Sequence, residues 1–293
     1  MLNRHTAIPR LDICTLSDYK EDDLMISRLS DYLRDHQNLI FPHRHSFYHL
    51  VFFTDGAGRH TIDFQSFDVK QNQIYFMVPG QVHAWHFEGE MKGFVINFSG
   101  TFFQSFLLKP DYLESFSFLD GVTGDAVLNL DNALAGDVKG LFEALITQSE
   151  RDGNMQIDMI RLILLQIFIT IEQGHPRSSR LLVPLQNAVV RSFLKLIEVH
   201  FVNKRLPGDY AELLNVSPNH LNALAKEHLG KQAGEVIRER VLLEAKRLLI
   251  MPELTVAEVA YRLNFNDNSY FTRFFRKYAG ITPEAFRLNS ISN

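Results

Sequence analysis

One apolar pattern occurs twice in the last quarter of the chain, and no other feature restricts the fold as much. The first copy runs Tyr210-Ala211, Leu214-Asn215-Val216, then Leu221, Leu224, Ala225, His228 and Gly230. The second runs Val259-Ala260, Leu263-Asn264-Phe265, then Phe271, Phe274, Phe275, Tyr278 and Gly280. Ala211 and Ala260 are 49 residues apart, and Leu221 and Phe271 are 50 apart, so the second turn carries one extra residue. Each copy reads as a short helix, a turn and a second helix, with apolar residues at helical spacing. The C-terminal region is therefore predicted to be all-α, with two helix-turn-helix units.

In the second copy Thr255 and Glu258 have the spacing of a capping box, and Asp267 is placed to cap the next helix. Phe271, Phe274, Phe275 and Tyr278 fall on one side of that helix, with Asn268, Ser269, Thr272, Arg273 and Arg276 on the other. Amides, hydroxyls and guanidinium groups are the donors and acceptors needed at base edges and phosphates. One such helix alone reads equally well as a solvated face; the repetition favours DNA. In the first copy Ser217 is the expected N-cap and Pro218 the first helical residue. Asn219, Asn222, Ala223 and Lys226 oppose its apolar face, and Ala223 stands where the second copy has Arg273. The first helix is therefore expected to read through Asn219 and Asn222, with Lys226 near phosphate, and to add less specificity. Residues 235–251 read as one long helix holding both units apart, as adjacent major grooves about 34 Å apart require.

The run Ala245-x-x-Leu248-Leu249, Thr255-Val256-x-Glu258-Val259-Ala260, Leu263-x-Phe265-x-Asp267-x-Ser269-Tyr270-Phe271-x-Arg273-x-Phe275-Arg276-Lys277 and Gly280-x-Thr282-Pro283-x-x-Phe286-Arg287 resembles the signature of the AraC/XylS family of bacterial regulators. The resemblance implies a seven-helix DNA-binding domain whose third and sixth helices enter the major groove. It implies base-facing positions at Asn219, Asn222 and Ala223, and at Asn268, Ser269, Thr272 and Arg273. Lys226, Arg276 and Lys277 complete the expected DNA-contacting set. Expected partners are double-stranded DNA, a second copy of the chain and a small-molecule effector, with RNA polymerase a further candidate.

Charge agrees with a division of labour. The chain has 30 Lys and Arg against 34 Asp and Glu, which argues against indiscriminate nucleic-acid binding. Residues 185–293 hold 15 basic and 11 acidic side chains, a balance of +4, whereas residues 1–184 hold 15 and 23, a balance of −8. Directed phosphate contact by one domain follows. The single Cys14 rules out an intrachain disulfide framework. The start of the chain has no apolar signal segment, and the apolar stretch 162–171 is too short for a bilayer. A cytoplasmic location without membrane contact is expected.

The first half reads as strands. Residues 47–53 form an aromatic run ended by Asp55-Gly56-Ala57-Gly58, a turn signal. Residues 60–64 and part of 73–78 alternate with period two, Pro79-Gly80 makes another turn, and 83–87 and 93–98 follow. Such spacing suggests an antiparallel sandwich or barrel. His43-x-His45, His49 and Gly56, followed by Pro79-Gly80-Gln81-x-His83, resemble the cupin motifs. That resemblance implies a barrel with a small effector inside, lined by His43, His45, His49 and His83 with apolar walls from Phe52, Ile62, Phe76 and Trp85. Metal-binding cupins use a Glu where this chain has His49, so the histidines are expected to line the site or support the barrel, with no metal or other cofactor. His60 and His86 read as satisfied sheet residues.

The sequence therefore predicts an α+β protein: a cupin-like antiparallel β-barrel at 1–133, a helical connector at 134–173, a linker at 174–184 and a DNA-binding domain at 185–293. The connector helices either pack on the barrel or pair two copies. An effector-responsive, non-enzymatic transcription regulator is the leading reading. The alternative is a metal-dependent cupin enzyme, an oxygenase or isomerase, with a helical appendage.

Overall fold

The computed structural model describes residues 10–11, 24–36, 42–104, 106–109, 112–175, 187–251 and 253–291. Cys14 and most of the expected linker (from residue 176 on) lie outside these residues. The described residues fall into two compact units, one within Ile8–Pro176 and one within Arg177–Asn293.

The first unit is built on an eight-stranded sheet. In chain order the strands are β1 (Arg10–Leu11), β2 (Leu24–Arg28), β3 (His43–His45), β4 (Tyr48–Ile62), β5 (Gln65–Asp68), β6 (Gln73–Met77), β7 (Val82–Phe98) and β8 (Val127–Asn129). The helix α1 (Leu29–Asp35) follows β2, and α2 (Asn132–Ser149) and α3 (Gln156–Gly174) follow β8. All strand pairs are antiparallel except β1 with β3. The long strands β4 and β7 pair from Tyr48↔Phe98 to Ile62↔His83. Straight, the 14 steps from His83 to Asn97 would span about 46 Å. Yet His49, the partner of Asn97, has its ring centroid 5.1 Å from that of His83. The ribbon therefore bends back on itself and encloses its inner face, as a barrel does.

The bend lies where the sequence suggests a turn. Asp55-Gly56-Ala57-Gly58 does not end β4; the ladder continues through register shifts between Phe53 and Asp55 and between Asp55 and Ala57. Residues 83–87 and 93–98 are likewise one strand, β7. Glycine is needed because the two backbones nearly touch: a Cβ on Gly93 would lie 2.0 Å from the Phe52 carbonyl oxygen, and one on Gly58 2.3 Å from that of His86. A bulge bends a strand without ending it.

Alternation sorts the side chains into two cores. Val51, Phe53, Tyr75, Met77 and Trp85 share the inner core with Leu29 and Tyr32 of α1. Leu50, Phe52, Ile74 and Phe76 point to the opposite face, where α2 and α3 cover them with Phe142, Leu164 and Phe168. The helices expected as a connector thus share a core with the sheet. On α3 the buried stripe of Ile160, Leu164, Ile167 and Ile171 leaves Met159, Leu162 and Ile169 exposed on another side.

The described part of the second unit has seven helices: α4 (Ala188–His200), α5 (Pro207–Leu213), α6 (Pro218–Leu229), α7 (Ala233–Leu249), α8 (Val256–Arg262), α9 (Asn268–Ala279) and α10 (Pro283–Ile291). The third and sixth, α6 and α9, are the helices that the repeated pattern singles out. One core of Phe193, Tyr210, Leu221, Val241, Ala260, Phe271 and Phe275 runs through both repeats. The central helix α7 begins two residues earlier than the sequence suggests. Its start is fixed by two side chains: Glu235 accepts from the Gln232 backbone N–H at 2.8 Å, and Asn222 Oδ1 accepts from that of Ala233 at 3.1 Å.

Candidate functional site

The two helix-turn-helix units end their first helices in the same way. Asn215 and Asn264 adopt positive φ, 53° and 56°. Val216 N–H donates to the Ala211 carbonyl and Asn215 N–H to that of Glu212; Phe265 donates to Ala260 and Asn264 to Tyr261. These are paired Schellman closures, with asparagine at the one left-handed position. The second helices then start on caps read from the sequence. Ser217 Oγ accepts from the His220 N–H at 3.1 Å, and Asp267 accepts from that of Tyr270 at 2.6 Å. The extra residue of the second turn is Asn266, between the closure and the cap. Thr255 and Glu258 form the expected capping box, and those bonds hold the Glu258 carboxyl below the usual carboxylate range.

On α9, Asn268, Ser269, Arg273, Arg276 and Lys277 are exposed and Thr272 is half-buried. Arg273 and Arg276 make no hydrogen bond or ion pair with the described residues, so their donors face outward unspent. Tyr270, unremarked in the sequence, is also exposed on this helix, and its counterpart on α6 is the exposed His220. Both directly follow the second residue of their helix, and that position was the available signal. The first module differs from expectation. Asn219 and Ala223 are exposed, but Asn222 is half-buried and its carbonyl oxygen is committed to the start of α7. Lys226 Nζ donates to the Gly230 carbonyl at 3.0 Å, a bond it must give up to reach a phosphate. Glu227 replaces Lys277, so α6 also carries less positive charge.

A second tie joins the modules beside α7. Arg205, between α4 and α5, lies with its guanidinium 3.7 Å from the Phe265 ring centroid and donates to the Leu263 carbonyl at the end of α8. Asn264 donates to Asn203 at 3.4 Å. The turn of the second module is thus gripped by the loop that precedes the first.

Inside the sheet of the first unit, six of the eight expected effector residues meet: His43, His45, His49, Ile62, His83 and Trp85 are all buried. Phe52 and Phe76 do not join them. The period of the strand sends both to the helix-covered face, so they are a correction to the expected lining. His60 and Tyr75, on the inner positions of β4 and β6, take part instead; the alternation His60-x-Ile62 was the signal. His45 Nε2 and His83 Nε2 are 2.8 Å apart, and His60 Nε2 is 3.3 Å from His83 Nδ1. His49 bonds Asn97 Oδ1 at 2.6 Å and the Tyr75 hydroxyl at 3.2 Å, and Trp85 donates to that same hydroxyl at 2.9 Å. Rings fill the space: His60 lies 3.9 Å from Tyr75, His43 4.1 Å from His83, and His45 4.8 Å from His49, centroid to centroid. Burial lowers His45, His60 and His83 well below the usual imidazole range and His49 to about 3, so all four are neutral at pH 7. The nitrogens of His43, His45 and His83 lie close enough together to hold a metal ion. His86 is exposed and apart from the cluster.

Residues 210–289 match the family described as helix-turn-helix domain, and residues 31–165 match the one described as AraC-like ligand binding domain. The chain belongs to the AraC family. It is a DNA-binding transcription regulator with a ligand-binding domain. It is 25% identical over 241 residues to an uncharacterised HTH-type transcriptional regulator of Escherichia coli, YpdC, covering 78% of this chain and 83% of that protein. It is 20% identical over 254 residues to the HTH-type transcriptional activator RhaR of an Enterobacter species, covering 87% and 89%. Among solved structures, ToxT of Vibrio cholerae aligns over 90% of this chain and 97% of its own at 13% identity, with a TM-score of 0.44. Among the described residues, no helix is long and apolar enough to cross a membrane.

Proposed function

We propose that this regulator reads a bipartite site in duplex DNA, with α9 supplying most of the base discrimination and α6 mainly position. The observation that carries this is the outward, unpaired guanidinium of Arg273 on α9, opposite Ala223 on α6. Arginine is the commonest bidentate reader of guanine. Asn268, Ser269 and Thr272 lie beside it on α9, with Arg276 and Lys277 towards phosphate. On α6, Asn219 and His220 remain for reading, because Asn222 braces α7. The experiment is selection of duplexes from a randomised pool by the full-length protein, repeated with Arg273→Ala. One strongly specified half and one weakly specified half are expected. A wild-type selection with two equally sharp halves would overturn the asymmetry.

The same reading includes a homodimer without catalytic activity, paired through the helices of the first unit. Met159, Leu162 and Ile169 are 46%, 51% and 37% exposed and fall, with Gln166 between, at alternating three- and four-residue spacing along α3. That is the spacing of a helix–helix seam. On α2, Gly136 and Gly140 sit mid-helix where a Cβ would meet nothing within 4 Å. Each costs roughly 1 kcal/mol of helix stability relative to alanine, and together they permit a second backbone to approach closely. Sedimentation of the full-length protein at micromolar concentration tests it; a monomer would remove the pairing.

A further inference from the structure

The candidate ligand nitrogens of His43, His45 and His83 all lie within 4.8 Å of one another, in three buried rings. Two adjacent strands deliver them. His43 and His45 share a face of β3, and His83 on β7 is the ladder partner of His43. A transition ion bound about 2.0–2.1 Å from each nitrogen brings nitrogens to about 3.3 Å in tetrahedral geometry. His45 Nε2 and His83 Nε2 are already closer than that, so small side-chain rotations suffice. His45 Nδ1 is buried without a hydrogen-bond partner. His60 supplies the outer support that metal-binding histidines usually have: its Nε2 lies 3.3 Å from His83 Nδ1 and, as the acceptor of an Nδ1–H, would leave His83 Nε2 free to ligate. His49 stands where a cupin glutamate would be, but Asn97 and Tyr75 occupy both its nitrogens. It is not needed, because three imidazoles with a water in the fourth position form a complete zinc site. An all-imidazole set suits zinc, nickel, copper or iron and not calcium or magnesium, which take oxygen ligands.

We propose that the effector of this regulator is a divalent transition-metal ion, held by His43, His45 and His83 with His60 as the outer partner of His83. This departs from the sequence expectation of no metal, and it rests on the regulator reading above, whose ligand it names. Neutral imidazoles are the ligating form.

The test uses full-length protein stripped by chelator and titrated with cobalt(II) and with zinc. One equivalent per chain, cobalt d–d absorption and a melting temperature raised by about 5–10 °C at a hundredfold excess over Kd are expected. His45→Gln abolishes all three, and His86→Ala leaves them unchanged. Should His45→Gln fail to fold, X-ray absorption of the wild-type cobalt form decides: three imidazole ligands support the site, and an oxygen-only shell overturns it. Absence of both binding and a thermal shift also overturns it. With a duplex selected from the randomised pool, zinc is expected to change affinity at least tenfold. Stoichiometric metal with unchanged DNA affinity overturns the effector role. Failure to bind DNA with and without zinc counts instead against DNA reading by α6 and α9.

Discussion

Acid should dismantle the first unit while leaving the second intact. Four imidazoles, His45, His49, His60 and His83, are held below their usual pKa by burial. In the unfolded chain they bind protons near the ordinary histidine value of about 6.5. As pH falls through that value the unfolded chain takes up protons that the folded one refuses. Stability is therefore complete above about pH 6.5 and is lost below it, down to the folded pKa, which for His49 is about 3. Each group withdraws about 1.4 kcal/mol per pH unit, so the four together remove about 5 kcal/mol per unit. A domain's whole stability is about 5–15 kcal/mol, so chelator-treated protein should lose this unit between about pH 5 and pH 6. Trp85 is the only tryptophan in the chain and lies 5.1 Å from His83, so its fluorescence reports on this unit alone. Far-UV circular dichroism reports the helices of both units, α1 to α3 included, so the seven helices of the other unit, where no described histidine is buried, should appear as the helical signal that persists after the Trp85 transition. An uptake of about four protons per unfolding event is expected from the pH dependence of the Trp85 transition. An uptake below one proton, or an unchanged thermal midpoint of Trp85 between pH 7.5 and pH 5, would refute the reasoning.

Arg273→Ala should weaken binding to the selected duplex by about 1–3 kcal/mol and relax one base position, measured by anisotropy against single-base variants. Asn222→Ala should lower the melting temperature of the C-terminal unit, since it strips the Ala233 N–H of its acceptor at a cost of about 1–2 kcal/mol; the selected sequence should not change. A sharpened loss at one base would instead make Asn222 a reader. Leu162→Glu, placed mid-stripe on α3, should convert the proposed dimer to monomer in sedimentation without altering the melting temperature by more than a degree or two. An unchanged dimer would exclude this face.

The all-α part was legible nearly residue by residue, because caps and helical spacing are local signals. Ser217, Thr255 and Asp267 each declare a helix start through one side chain and a backbone N–H three residues on. The sheet was less legible. Gly56 and Gly58 look like a turn, and only the opposing backbone, two strands long and bending with them, makes them a bulge. Phe52 and Phe76 are as apolar as Ile62, and which face they take depends on a register that a shift of one residue reverses. Asn222 was misread for a different reason. It lies on the polar side of α6 by angle, and its real partner, Ala233, becomes a neighbour only after the chain has turned back. His60 and His49 show the same limit, since their partners are 23 and 48 residues away in sequence.

The grip of Arg205 on Phe265 and Leu263 makes the two modules behave as a caliper. With α7 as the beam and this contact as the locking screw, the jaws α6 and α9 have little freedom to swivel. One inserted base pair displaces a half-site by about 3.4 Å and rotates it by about 34–36°, which a locked caliper cannot follow. Promoters read by this protein would then evolve under two unequal rules. Letters beneath α6, with Ala223 in place of a reader, are free to drift. The count of base pairs between the halves is not.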